Sequence, residues 1–261
     1  MFREKSSFAA LSPSCVVSDG TVYVALKCYF DGSQKHGRQL TLAAVAGDEA
    51  AWARLELDWR NFLASQNLTY THMKEAIARK DAFEGWDKPR RDWFINGLIA
   101  FFNLHRSENP GRLHAFTFSV DLKAHMELAE AHGLPTPARM CVRSLVPRVV
   151  DWYLGFPDKI LDVMEFYFDR GEPFMQHIWD DWNSEILRAV QPAWGLIRTI
   201  APVEMKLTPG IQVADMFAWS RTHVNKQRPN DRFFGSALML CHPSEADHWY
   251  FDREKLLRGA E

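Results

Sequence analysis

The amino-acid sequence predicts an α/β domain in which a mixed, five-stranded sheet is flanked by helices and carries helical insertions. Three observations carry that prediction. Five short runs rich in β-branched and aromatic residues alternate with segments whose apolar residues recur at helical spacing. The first two runs are joined by a turn, and the later ones are reached across helices, which makes the sheet mixed. The chain has 261 residues, 47% of them hydrophobic, with 10 Trp and 18 Phe, ample for one well-packed core.

Residues 21–31, TVYVALKCYFD, read as the first strand, and GSQKHG as the turn into a second strand, RQLTLAAVAG. Trp52, Leu55, Trp59, Phe62 and Leu63 then recur at helical spacing, with Asp48 placed to cap. KPRRDWFINGLIAFFNLH is helical, Pro89 sits in its first turn, and Pro110-Gly111 stops it. In LHAFTFSVD, Ala115, Thr117 and Ser119 alternate with Phe116, Phe118 and Val120, the pattern of a half-buried strand. Helices over 122–132 and 138–154 follow, then the strand KILDVMEFYFD and the helix EPFMQHIWDDWNSEILRAV, with Pro173 near its start. IRTIAPVEMKLT is the last expected strand, and Pro202 assigns it to an edge or a strand start. PGIQVADMFAWSRTHV is the last helix. The expected organisation is a tail over 1–20, one domain over 21–228, and an irregular extension over 229–261 that packs on the domain.

The charge balance, 31 basic against 33 acidic residues, gives a formal net charge of -2, so no global field draws nucleic acid or membrane. Cys15, Cys28, Cys141 and Cys241 are far apart and form no CxxC pair, so neither a zinc site nor a disulfide framework is expected. The opening residues are a poor secretory signal, and no run approaches the ~20 apolar residues that cross a bilayer. The expectation is a cytoplasmic protein with no membrane partner.

Two strands end alike. CYFDGSQ, from Cys28, and FYFDRGE, from Phe166, each close an apolar run on a carboxylate, Asp31 and Asp169. Open α/β sheets place ligands beyond the carboxyl ends of their strands. On parallel neighbours the two charges must share a proton, find a cation or be bridged by a metal; alternatively, each caps a turn. Asp215 has Ile211, Gln212, Ala218 and Trp219 as helical neighbours, an apolar face on which a carboxylate needs a metal, a proton, or an arginine such as Arg170 or Arg221. Three such acids match the oxygen-ligand demand of Mg²⁺ or Mn²⁺, and two such ions about 4 Å apart can drive phosphodiester cleavage.

Further positions carry alternatives. His72 either protonates a leaving group or is a structural histidine at a helix start. Glu172 either adds an oxygen ligand or complements a helix dipole. Asp121 also ends a strand, but its setting favours an N-cap. Arg170 and Arg221 are the nearest candidates for phosphate contacts, while the basic clusters KPRR and RTHVNKQR either track a phosphate backbone or are solvated faces. Trp52, Trp59, Trp179, Trp182 and Trp219 lie at helical spacings and read as core.

These stretches resemble the domain of unknown function 3800 family, proteins with a ribonuclease-H-like fold. The resemblance rests on the strand ending in Asp31 with its hairpin partner LTLAAVAG, the helix AWARLELDWRNFL, THMKE followed by FEGW, and FTFSVDL. FYFDRGEPF and PGIQVADMFAW are its most specific motifs. It implies a sheet whose first strand carries Asp31 and whose fourth carries Asp169, and a last helix carrying Asp215. It also implies a metal-dependent nuclease or phosphoryl-transfer activity with Asp31, Asp169 and Asp215 as catalytic ligands, His72 in support and nucleic acid as the partner, to which Glu172 and Asp121 are added as supporting candidates by their positions alone. Where the family commonly reads Asp-Glu-Ser-Gly, this chain has Gly32 in the glutamate's place and Gln34 in the glycine's; Thr71 precedes His72 where an aromatic is usual, and Glu75 stands for the usual aspartate. The missing glutamate and the near-neutral charge leave a catalytically inactive scaffold as the alternative, with hydrolysis of a small phosphorylated metabolite as a third reading.

Overall fold

The computed structural model of the chain describes residues 17–18, 21–22, 26–35, 38–108, 111–155, 163–170, 172–184, 195–225, 233–241 and 246–258. Cys15, Lys226 and Arg228 therefore lie outside the described residues, and a separate two-residue ladder pairs Val17–Ser18 with Thr21–Val22.

The hairpin is longer than its sequence suggests. Strand β1 spans Leu26–Lys35 and β2 spans Gln39–Asp48, paired antiparallel from Leu26↔Asp48 to Lys35↔Gln39. The expected turn at Gly32–Gly37 is thus mostly strand, because Leu40, Thr41 and Leu42 opposite it are themselves good strand residues and keep the ladder going. Helix α1 (Glu49–Ser65) starts where Asp48 Oδ1 accepts the Ala51 amide at 2.8 Å. The short α2 (Met73–Ala78) and the long α3 (Lys88–Glu108) follow, then β3 (Leu113–Asp121), α4 (Leu122–His132) and α5 (Pro137–Leu154). The chain continues through β4 (Met164–Asp169), α6 (Pro173–Trp182), β5 (Ile197–Val203) and α7 (Pro209–Val224). Helix α8 (Phe234–Leu240), strand β6 (Ala246–Phe251) and helix α9 (Arg253–Arg258) complete it, so the stretch expected to be irregular carries regular elements.

The sheet has six strands in the order β5-β4-β1-β2-β3-β6, one more than expected. The β1–β2 and β2–β3 pairs are antiparallel, whereas β4 is parallel to β1, β5 to β4, and β6 to β3. The sixth strand, ADHWYF, is half-buried at the sheet edge, where the free side of β3 supplies its ladder. β5 lies at the opposite edge, where Pro202 removes no ladder donor the fold needs.

Helices cover both faces of the sheet. Trp52, Trp59, Phe94, Phe102 and Phe217 from α1, α3 and α7 pack one face, and Val142, Leu145, Val149 and Ile178 from α5 and α6 pack the other. Ala43 to Ala46 of β2 are fully buried on both sides, as the uninterrupted apolar run LAAVAG requires. β3 is likewise buried on both faces rather than half-buried: its Thr117 and Ser119 turn inward into a buried polar cluster where Ser119 Oγ meets Thr41 Oγ1 at 2.8 Å and Gln39 Nε2 donates to both. Helix α7 is buried around nearly its whole circumference from Pro209 to Ser220, sandwiched between the sheet and α1, α2 and α8. Gly210 permits that depth, since a Cβ there would come within 2.3 Å of the Tyr29 ring on β1.

Three described cysteines, Cys28, Cys141 and Cys241, are buried free thiols. Among the described residues no helix is long and apolar enough to cross a membrane.

Candidate active site

Parallel pairing of β1 with β4 ends at Phe30↔Phe168, so Asp31 and Asp169 stand just past the last shared rung, where β4 stops and β1 continues on β2 alone. Aromatic residues fix this register from the opposite face: Phe30 stacks on Phe168 with ring centroids 4.5 Å apart. Asp215 comes from α7 and Glu172 from the residue that opens α6. Four carboxylates from four elements thus share one place.

Their charges are strongly coupled. Burial, followed by the Asp215, Glu172 and Asp169 charges, pushes the Asp31 carboxyl well above the usual carboxylate range, against a lowering backbone hydrogen bond at Gly32. Burial, then Asp169 and Asp215, raises Glu172 to about 7. Burial also raises Asp215 to about 6, opposed by His72 and by the Met73 amide, which donates to Oδ2 at 2.6 Å. Asp169 Oδ1 accepts the Met205 amide at 3.1 Å. Among the described residues no arginine or lysine forms an ion pair with any of the four; Asp215 meets neither Arg170 nor Arg221.

Glu172 belongs both to the acid group and to the start of a helix. It heads α6 before Pro173, in the extended conformation a following proline favours, and its side chain makes no capping hydrogen bond. The carboxylate instead lies over Gly32. A Cβ at Gly32 would stand 3.0 Å from Glu172 Oε2 and 2.3 Å from Phe174 Cε2, so the bare backbone at position 32 is what admits this glutamate.

Polar residues behind the acids fix the segments that carry their amide partners. Gln212, one turn before Asp215, accepts the Trp59 indole N–H at 2.9 Å and the Thr71 amide at 3.2 Å on Oε1, and its Nε2 donates to the Met205 carbonyl at 2.9 Å. One amide side chain thereby ties α1, the segment that delivers the Met73 amide, and the turn that delivers the Met205 amide. His72 stands beside Asp215, and its Nδ1 lies 3.2 Å from Glu75 Oε1; Tyr70 Oη donates to the other Glu75 oxygen at 2.8 Å. None of Gln212, Glu75 or Tyr70 was singled out as a site residue from sequence, although a glutamine within α7's apolar stretch was a visible signal.

The remaining candidates lie elsewhere or are otherwise engaged. Asp121 caps α4, its Oδ1 accepting the Lys123 and Ala124 amides at 2.9 and 3.0 Å. Arg170 adjoins Asp169 but is exposed and paired with Glu204 at 3.0 Å. Arg221 is six residues past Asp215, about 9 Å farther along the helix axis, and sits against Cys241, with its ordinary pKa lowered by burial. In the KPRR cluster, Arg91 is buried and donates to Asp92 Oδ1 and the Ile77 carbonyl, and Arg90 stacks over Trp86 at 4.1 Å. Trp52, Trp59 and Trp219 are core, and Trp179 and Trp182 pack against it.

The four carboxylates are neighbours rather than a closed cage: among the described residues no group of three or more His, Cys, Asp or Glu side chains is arranged to hold a metal ion. Asp169 and Asp215 each spend one oxygen on a backbone amide. No protein-family model matches the chain, and no curated protein matches it either. The resemblance to the domain of unknown function 3800 family accordingly rests on the motifs quoted above.

Proposed function

We propose that the protein is a divalent-cation-dependent phosphodiesterase of ribonuclease-H-like type, acting on nucleic acid, with Asp31, Asp169 and Asp215 as ligands and Glu172 as a fourth oxygen donor. The observation that carries the reading is the convergence of four carboxylates from β1, β4, α6 and α7, with no arginine or lysine among the described residues to neutralise them. A structural acid cluster does not persist without compensation, and hard oxygen donors are the chemistry Mg²⁺ and Mn²⁺ take. The strand order supports the same reading: β1 lies between antiparallel β2 and parallel β4, as in a ribonuclease-H-like sheet, with β6 added at the edge. Glu172 also compensates for Gly32, bringing from α6 the carboxylate that the family's first motif would supply from β1.

Bound here, a divalent ion would supply charge neutralisation at the attacked phosphate and activation of water. The chain's own residues do the rest. The Met73 and Met205 amides hold one oxygen each of Asp215 and Asp169, leaving the others to turn toward an ion. His72, held through Nδ1 by Glu75, lies close enough to Asp215 to lower its pKa, and there its ring can pass a proton to a leaving oxygen.

Calorimetric titration with Mn²⁺ tests the proposal. Binding at millimolar affinity or tighter, weakened at least about tenfold by Asp215→Asn, is the expected result; equal heats from wild type and variant would remove it. The open arrangement of the four acids favours one competing reading, a catalytically inactive protein on the same fold. Incubation with Mn²⁺ and single-stranded DNA, duplex DNA, RNA, hybrids or nucleotides separates the two: cleavage abolished by Asp31→Asn eliminates the inactive reading, and nucleotides cleaved in preference to polymers would point to a small phosphate ester.

A further inference from the structure

The opposite face of the sheet holds a cleft of about 380 Å³ between α5 and the edge strand β6, within the ~300–1,000 Å³ range typical of small-molecule sites. Its floor is aromatic. Phe118 of β3 is fully buried and lies 4.6 Å, ring to ring, from Phe251, and Trp249 sits beside them, half-buried with its face toward α5. Its wall is one stripe of α5 carrying Arg143, Ser144, Pro147, Arg148 and Asp151.

The polar groups of this wall are of three kinds. Arg148 Cζ stands 5.4 Å from the Trp249 ring centroid, and among the described residues it makes no ion pair. Arg143 shares the single buried Asp181 carboxylate with Arg139, so two guanidiniums meet one negative charge and a positive surplus is left at the cleft. Pro147 lies inside α5 and has no N–H, which frees the Arg143 carbonyl one turn earlier from its helical donor. The Ser144 hydroxyl and the Asp151 carboxylate are the hydrogen-bond acceptors of the lining.

We propose that this cleft binds a mononucleotide, its base stacked on the Trp249–Phe251 floor and its phosphate toward Arg148 and Arg143. An aromatic floor takes a planar ring, which enters by taking the place that the Arg148 side chain holds over Trp249; the guanidinium so displaced, with Arg143, selects negative charge, and the acceptors on the wall select ring or exocyclic N–H donors. A base that carries a phosphate combines all three features. The cleft and the acid cluster face opposite sides of the sheet, so this site is independent of the proposed catalysis and does not rest on it.

Calorimetry with AMP, GMP, CMP and UMP, using orthophosphate as control, tests the inference on the full chain. At least one nucleotide should bind saturably, tighter than about 1 mM, and orthophosphate alone should not. Arg148→Glu and Trp249→Ala should each weaken binding at least about tenfold, whereas Asp31→Asn should leave it unchanged. Arg148 is exposed, so its charge reversal does not touch the core and the variant decides the matter even where Trp249→Ala unfolds. The inference falls if none of the four nucleotides binds, if Arg148→Glu keeps full affinity, or if Asp31→Asn abolishes binding, which would move the nucleotide to the acid cluster.

Discussion

Asp181 and Asp31 are both buried carboxylates in the same domain, and they are opposites. Asp181 on α6 has no exposed surface, yet Arg143 donates to both its oxygens and Arg139 grips Oδ1 at 2.5 Å, so the two guanidiniums outweigh desolvation and hold its pKa below the usual range. Asp31 is buried to nearly the same degree, and what surrounds it is Asp215, Glu172 and Asp169. Burial by itself therefore does not mark a functional acid. The difference lies in the counter-charge: Asp181 has two guanidiniums, whereas the carboxyls around Asp31 are relieved only by taking up protons or a cation, which is why their pKa values rise.

The contrast can be broken by making Asp181 resemble Asp31. Replacing both partners, Arg139→Met with Arg143→Met, strands a buried charge and should cost about 3–5 kcal/mol, measured by urea unfolding at neutral pH. A result near zero would mean that solvent reaches Asp181 and that the pair is a poor reference for the acid cluster.

Filling the space above Asp31 comes next. Gly32→Ala puts a Cβ 2.3 Å from the packed Phe174 ring and 3.0 Å from Glu172 Oε2, an overpacking that should cost about 1–3 kcal/mol. It should also push Glu172 out of the cluster and weaken Mn²⁺ binding. Unchanged stability and unchanged metal heats would show that Glu172 and Phe174 move freely.

Relieving the repulsion runs the other way. In chelator-treated protein at alkaline pH, where the cluster is ionised, Asp31→Asn removes one of four like charges and should stabilise the fold by about 0.5–2 kcal/mol, read as a higher urea midpoint, at the expense of the proposed metal affinity. A destabilised variant would argue that the Asp31 charge is compensated after all.

The last signal is a sign. Asp31, Asp215 and Glu172 have raised pKa values, so they bind protons more tightly folded than unfolded. Metal-free stability from this cluster is therefore complete in acid and is lost as pH rises from about 4, the unfolded carboxyl value, through the values of about 6 for Asp215 and about 7 for Glu172. Asp181, with a lowered pKa, contributes with the reverse slope, losing stability only as pH falls below the ordinary range. Melting temperatures across this range should decline toward neutral pH without metal and flatten with Mn²⁺ added; a rise toward neutral pH would contradict the clustering.

Much of the framework was legible. Apolar runs with period-2 or helical spacing located five strands and most helices, and Asp48, Asp121, Pro89 and Pro173 marked helix starts because capping and the proline ring act locally. β6 was missed because its half-buried ADHWYF segment becomes a strand only by using the open side of β3, a partner more than a hundred residues away. Arg221 was misplaced because helical geometry turns a residue six positions on by about 240°, away from Asp215 and toward Cys241.

The sequence by itself determined which carboxylates end apolar runs or sit on a buried helix, because that depends on neighbours within a few residues. Only the tertiary structure decided their company. Glu172 rather than a residue at position 32 overlies β1, the Met73 and Met205 amides hold Asp215 and Asp169, and Gln212 ties the three loops together. Those outcomes follow from packing among α1, α6, α7 and the sheet, and charge acts through space, without regard to separation along the chain.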